Sequence, residues 1–427
     1  MRSFGLLTLI LPIDSDFALA TYRIIYIFEP REEAAGRFAM KKVYLLIVAG
    51  ALLASPCAFA GYNVRDYGAT GDGKADDTVA IQSAINACDN AGGGTVFFPP
   101  GHYNETGLIV GAYAASTNHR QTYVFLEGGA PHASVLRYTG PNTGIAVRTQ
   151  ALIGGGIKRL DIVNAGKRGT TDGLQTSGPA GSNGTSTNNC ILEQVSISGF
   201  HNGWHTSANG SPTSSEITAN NLVLSNCDNG FYNDSFNGLN FVFTQLQTTG
   251  NTVGVWARMS GVYVFGGAAS GNGTDFVFNN GGTNTIHGFR SETGGKFIDD
   301  SGPIGLSVLD CIAQALKGPD AIVLHSGNHI SIHDSLIGGN IKIADRSAKA
   351  AVDISNSAVK SASIITIGAG VKEGVYRVFG CWTCTDDGFN VRTVYPDQQG
   401  TFSTSTGLVP KSFAPEPRSS ISKGNAQ

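Results

Sequence analysis

From Leu160 to about Ser357 the chain repeats a short phrase in which apolar and polar positions alternate. It reads DGLQTSG from Asp172, NGWHTSANG from Asn202, NGFYNDSFNG from Asn229, VGVWARMSG from Val253, TDFVFNNGG from Thr274, GKFIDDSG from Gly295 and DAIVLHSGN from Asp320. The apolar residue after each opening dipeptide forms an inward series, Leu174, Trp204, Phe231, Val255, Phe276, Phe297 and Ile322, at intervals of 30, 27, 24, 21, 21 and 25 residues. One strand phrase per period of this size indicates a solenoid whose units stack to bury a continuous core. The runs between phrases, such as ILEQVSISGF, NLVLSNC, LNFVFTQLQ and IGLSVLDCIAQ, predict two or three strands per turn. The expected fold is all-β, a right-handed single-stranded parallel β-helix.

Strand alternation turns the residue after each anchor outward: Gln175, His205, Tyr232, Trp256, Val277, Ile298 and Val323. Two positions further on, also outward, come Ser177, Ser207, Asp234, Arg258, Asn279, Asp300 and His325. Coils stack at ~4.8 Å, so His205, Tyr232 and Trp256 are expected as a surface stripe flanked by Asp234 and Arg258.

Ahead of the coils, DDTVAIQSAINACDNAGGG predicts a short amphipathic helix. Asp77 is its expected N-cap, Ile81, Ile85 and Cys88 share one face, and Gly92 to Gly94 end it. A solenoid exposes unpaired strand edges at its first coil, and this helix is read as the lid over them, with GTVFFPPGHY as the first strand and turn beneath.

Further upstream, MKKVYLLIVAGALLASPCAFA from Met40 has a basic start, an apolar run too short to span a bilayer, and a small-x-small site at Ala58-Phe59-Ala60. Residues 40–60 are therefore read as a secretory signal cleaved before Gly61, and residues 1–39 as a segment upstream of the true start at Met40. Residues 61–405 are expected to form the β-helix domain and 406–427 a disordered tail. The protein is expected to be exported and, after cleavage, free of the membrane. Its oligomeric state is left open.

Composition agrees with the strand pattern: of 427 residues only 14% are charged and 57 are glycine. The net charge of −3 offers no basic excess for nucleic acid. Six cysteines remain after the signal, irregularly spaced, and most are expected as buried thiols. Cys381 and Cys384 form a C-x-x-C in a strand-and-turn context, read as a local disulfide or structural pair rather than a redox centre.

The segment VRDYGATGDGKADDTVAIQSAINACDNAGGGTVFFPPGHY resembles the N-terminal signature of the pectate-lyase-like β-helix superfamily, which includes rhamnogalacturonases, epimerases, polygalacturonase-related proteins and phage tailspikes. The resemblance implies the fold strongly and the activity weakly, since the signature is a capping device. Thr170 to Gly173, TTDG, looks like the first catalytic motif of polygalacturonases, so Asp172 inherits a catalytic carboxylate by that likeness. The next coils carry His201-Asn202 and Asp228-Asn229 where an Asp pair and a Gly-His would fall, and no Arg-Ile-Lys follows. An epimerase-type Asp-Pro-His-Asp and a calcium-site aspartate cluster are absent too. No metal or other cofactor is expected, with calcium kept open for a lyase.

The candidate catalytic residues are Asp172, Asp228, Asp234 and His205. The candidate substrate contacts are Tyr232, Trp256, Arg258 and His201. Aromatic rings beside a carboxylate and a guanidinium suit a sugar chain, since rings stack on apolar sugar faces and charged groups bind hydroxyls or uronates. Asp172 and Asp234 lie two coils apart, ~10 Å, a spacing that suits inversion, with Asp228 as a substitute partner. Each residue taken singly also has a structural account: the aspartates as turn acceptors, the rings as core under a loop, Arg290 and Glu292 as an ion pair in the wall. Two functions follow. One is a secreted hydrolase or lyase acting on an acidic, uronic-acid-containing polysaccharide; the other is a non-catalytic glycan-binding adhesin or tailspike-like protein.

Overall fold

The computed structural model describes residues 61–111, 123–150, 152–176, 187–206, 214–235, 238–258, 261–279, 282–300, 305–325, 329–343, 350–355 and 357–359. It also places the strands Phe4–Ile10, Thr21–Ile27, Ile364–Ile367, Gly374–Phe379, Trp382–Thr383 and Arg392–Val394. The chain divides into two units, Met1–Ala58 and Phe59–Gln427. In the first, Phe4–Ile10 and Thr21–Ile27 pair antiparallel. The signal peptide, the two cysteines of the C-x-x-C and the tail fall outside the described residues.

The second unit is a parallel β-solenoid of about ten turns. Each middle coil carries three strands, except two in which one nine-residue strand, Phe241–Thr249 or Val262–Ser270, takes the place of the first two. One coil runs Gly156–Lys158, Asp161–Asn164 and Asp172–Thr176, and the next Ile191–Glu193, Ser196–Ser198 and Asn202–Thr206. Each strand pairs in parallel with its counterpart one coil on. The repeated phrases fall in one twelve-stranded sheet running from Leu108–Val110 to Arg392–Val394. Its inward column reads Val147, Leu174, Trp204, Phe231, Val255, Phe276, Ile298 and Ile322.

That register corrects the expected series in one coil. Ile298, not Phe297, stands opposite Phe276, so Asp299 and not Ile298 faces outward. Both Phe297 and Ile298 are buried, and so are Asp300 and Val323, which alternation had placed outside. The reason is the strand's position at a corner, where two adjacent residues both face apolar core, Phe297 meeting Phe276 edge-on at 5.8 Å.

Two features explain the repeated phrases. The second position of successive strands is Gly173, Gly203, Gly230 and Gly254, where a side chain would come within 2.4–2.7 Å of the next coil's backbone oxygen. Glycine there lets the corner pack. One bend between the other two strands holds Arg159, Gln194, Asn221, Gln245, Gly266, Gly288, Asp310 and Asp334, all with φ of 49–71°. Left-handed backbone at non-glycine residues is costly singly, and the coil-to-coil hydrogen bonds on either side hold it in place.

The core is aromatic. Trp204 packs against Phe231 at 4.7 Å, with Phe241 and Phe243 around it. The helix α1, Thr78–Asn90, buries Ile81, Ala84, Ile85 and Cys88 against the first coil. Asp77 sits at its N-cap position without capping it: its carboxylate accepts from Thr70 N at 2.7 Å and Gly71 N at 3.1 Å, while Asp76 accepts from Thr78 N at 3.0 Å. Cys88, Cys190, Cys227 and Cys311 are buried free thiols, as their spacing suggested. Arg290 and Glu292 pair in the wall.

Candidate functional site

Four strands of the twelve-stranded sheet build the site: Asp172–Thr176, Asn202–Thr206, Asn229–Asn233 and Val253–Ala257. Their register places Gln175, His205, Tyr232, Trp256 and Val277 in one outward column, as alternation required. The rings of His205 and Tyr232 lie 5.1 Å apart, and those of Tyr232 and Trp256 also 5.1 Å. Both aromatics are half-buried. Trp256 is oriented by its indole N–H, which donates to Asn279 Oδ1 at 2.5 Å.

His205 is the centre. Its Nδ1 meets Asp172 Oδ2 at 2.7 Å, and its Nε2 meets Asp234 Oδ1 at 3.3 Å. One imidazole thus bridges the two carboxylates. Side-chain exposures of 15% for His205, 8% for Asp172 and 19% for Asp234 make Asp172 the floor of the site. Burial works against charge on the ring. The hydrogen bonds and charges of the two aspartates outweigh it, pushing the imidazole up to about 9. At neutral pH it is an imidazolium donating from both nitrogens.

Asp172 is held as an acceptor from every side. Gln175 Nε2 donates to the oxygen that His205 meets, at 3.0 Å, and Asn202 Nδ2 donates to the other at 2.8 Å. Asn229 Nδ2 in turn donates to Asn202 Oδ1 at 2.9 Å. This ladder arises because Asp172, Asn202 and Asn229 occupy the same strand position in consecutive coils. On the exposed rim, Arg258 Nη1 donates to the Tyr232 phenol oxygen at 3.4 Å.

His201 and Asp228 form a separate cluster at the preceding turn. His201 Nδ1 lies 2.8 Å from Asp228 Oδ2, and Arg168 Nη1 donates to Asp228 Oδ1 at 2.8 Å. After the cost of partial burial, these bonds hold the Asp228 carboxyl below its ordinary range. Of the eight expected residues the structure therefore gathers Asp172, His205, Asp234, Tyr232, Trp256 and Arg258, and sets His201 and Asp228 beside them.

Sequence reasoning passed over Arg148, Gln175, Asn202 and Arg168 as site members. A signal existed for the first: GIAVRT has the form of the repeated phrase, and Arg148 extends the outward column by one coil beyond Gln175. Among the described residues no group of three or more His, Cys, Asp or Glu is arranged to hold a metal ion. Asp172 and Asp234 face an imidazole from opposite sides and do not converge on one point, so they do not fit a calcium ion.

Comparison with known proteins places the cap and first coils. Residues 61–147 match the family model described as rhamnogalacturonase A/epimerase, pectate lyase-like. Alginate lyase 7 of Azotobacter vinelandii is 63% identical over 46 residues, which are 11% of this chain and 5% of that protein. Mannuronan C5-epimerase AlgE4 of the same organism is 43% identical over 79 residues, 16% of this chain and 14% of that one. The chain thus spans a small part of these relatives. Among solved structures, the A-module of mannuronan C-5 epimerase AlgE6 from A. vinelandii has a TM-score of 0.48 at 17% identity, covering 80% of this chain and 98% of that one.

Proposed function

We propose that this chain is a polysaccharide-active enzyme that abstracts the C5 proton of a uronate sugar, in the manner of a lyase or epimerase, at the His205–Tyr232–Arg258 surface. The observation that carries this reading is the single imidazole bonded to both Asp172 and Asp234. Inverting hydrolysis needs a water between two carboxyl groups ~6.5–9.5 Å apart. Here a ring fills that gap, and Asp172 is walled off from substrate.

Proton abstraction next to a carboxylate asks for a cation on that carboxylate, a base at C5 and an acid at the leaving oxygen. Arg258, exposed at the rim, can pair with the uronate carboxylate and stabilise charge developing there. Tyr232 Oη, having first passed its own proton to solvent, takes the C5 proton. In elimination the C5–H electrons form the C4=C5 double bond, the C4–O bond breaks, and the departing oxygen takes a proton from the His205 imidazolium. In epimerisation a proton from solvent returns to C5 from the opposite face. Asp172 and Asp234 keep His205 charged and oriented. Trp256 supplies a face for a neighbouring sugar.

The likeness of the N-terminal segment to alginate lyase 7 and to mannuronan epimerases supports the substrate class. The test is incubation of protein from Gly61 with mannuronan, guluronan and polygalacturonan in heavy water. The reading expects deuterium at C5, or the ultraviolet chromophore of an unsaturated product. New reducing ends with neither signal would replace it with hydrolysis.

A further inference from the structure

Among the described side chains, the cations of the twelve-stranded sheet and its neighbouring turn fall into two sets. Lys296 pairs with Asp299, Lys342 Nζ lies 2.6 Å from Asp320 Oδ2, and at the neighbouring turn Arg168 pairs with Asp228. Arg148 and Arg258 have no carboxylate within ion-pair distance among the described residues; each instead makes a hydrogen bond to a neutral group, Arg148 Nε to Gln175 Oε1 at 3.0 Å and Arg258 Nη1 to Tyr232 Oη. The first bond turns the Arg148 guanidinium toward the Gln175 coil, and the second turns that of Arg258 back toward the Tyr232 coil. The two heads so lie on either side of His205 along the solenoid axis, Arg148 in the outward column of His205 and Arg258 two residues beyond Trp256, the column's member in its own coil.

We infer that Arg148 and Arg258 form a two-point clamp for carboxylates on separate sugars of one acidic chain lying along the solenoid axis. This rests on the proposed uronate reading and adds to it a minimum substrate length. The heads stand two to three coil steps apart, ~10–14 Å. A pyranose in an extended chain advances by roughly one such step, ~5 Å, so both arginines are engaged only by a chain of three to four acidic sugars or more. Gln175 ties the clamp to the site, since its amide accepts from Arg148 and donates to Asp172.

The experiment is calorimetric binding of size-fractionated oligouronates of two to six sugars, alongside the same oligomers with carboxyl groups reduced to alcohols. The parent protein is expected to show a step in affinity between two and four sugars. Arg148→Gln removes that step, lowering affinity for the longer oligomers roughly tenfold or more and leaving dimers unchanged; Arg148→Lys restores part of it. If the oligouronates bind and Arg148→Gln keeps the full step, the clamp is wrong and the uronate reading stands. Equal binding of the reduced oligomers also overturns the clamp. No binding of any oligouronate overturns the uronate reading and the clamp with it.

Discussion

His205 and Asp172 stand on neighbouring strands in adjacent coils, and the imidazole Nδ1 lies 2.7 Å from the carboxylate Oδ2. That carboxylate is among the least exposed groups of the site. The pairing fixes which ring nitrogen faces the floor and leaves Nε2 toward Asp234 and the groove. On the proposed reading, turnover then depends on a proton held far above the ordinary histidine value.

Asp172→Asn and Asp234→Asn each remove one of the two charges that keep His205 protonated. A proton-donating His205 supports turnover below about 9 and loses it as pH rises through that value. Both variants are expected to lower kcat by at least ~10²-fold, with the basic limb of the remaining activity moved to lower pH. A kcat–pH profile checks both effects, and an unmoved basic limb would show that another group sets it.

On the proposed reading, Trp256→Ala removes a ring that holds sugar and moves no proton. Aromatic contacts are worth ~0.5–1.5 kcal/mol, so KM is expected to rise up to about tenfold with kcat nearly unchanged. Steady-state kinetics on the identified glycan decide it.

Glu105 is wholly buried, no cation among the described residues pairs with it, and the Gly107 backbone N–H is what favours its charged form. Burial, with the nearby Asp76 charge adding to it, pushes its carboxyl from 4.5 up to about 8. The folded value lies above the unfolded one, so the folded state holds the extra proton between them. Stability therefore falls as pH rises through that window and levels off above it. Glu105→Gln is expected to flatten this dependence and to stabilise the protein at pH 8 by a few kcal/mol at most. Thermal unfolding of both proteins at pH 5 and pH 8 tests it; parallel curves would mean that Glu105 does not titrate in this range.

Ile85 is fully buried where α1 covers the first coil. Ile85→Asp puts an unpaired charge into that contact, at a cost of several kcal/mol, and uncovers strand edges. A lower Tm and concentration-dependent association are expected by calorimetry and light scattering. A variant as heat-resistant and monodisperse as the parent would show that α1 is no lid.

What the sequence determined by itself is periodic. Alternation along each strand and recurrence from coil to coil are properties of neighbouring residues, so the solenoid, the lid helix and the outward order Gln175, His205, Tyr232, Trp256 could be read from the chain. Where one strand turned a corner, as at Phe297 and Ile298, alternation alone failed, because the direction of a side chain there depends on core present on two sides. The left-handed bends at Arg159, Gln194 and Gln245 were equally hidden, since no glycine marks them and only pairing with adjacent coils holds them. The chemistry of the site was a tertiary decision as well. His205 could be placed on the outer face from its number, but its charge comes from two carboxylates 33 residues before and 29 residues after it. Only stacking of coils, which sets strands ~4.8 Å apart, brings both to one ring and leaves His201 with Asp228 at the turn beside it.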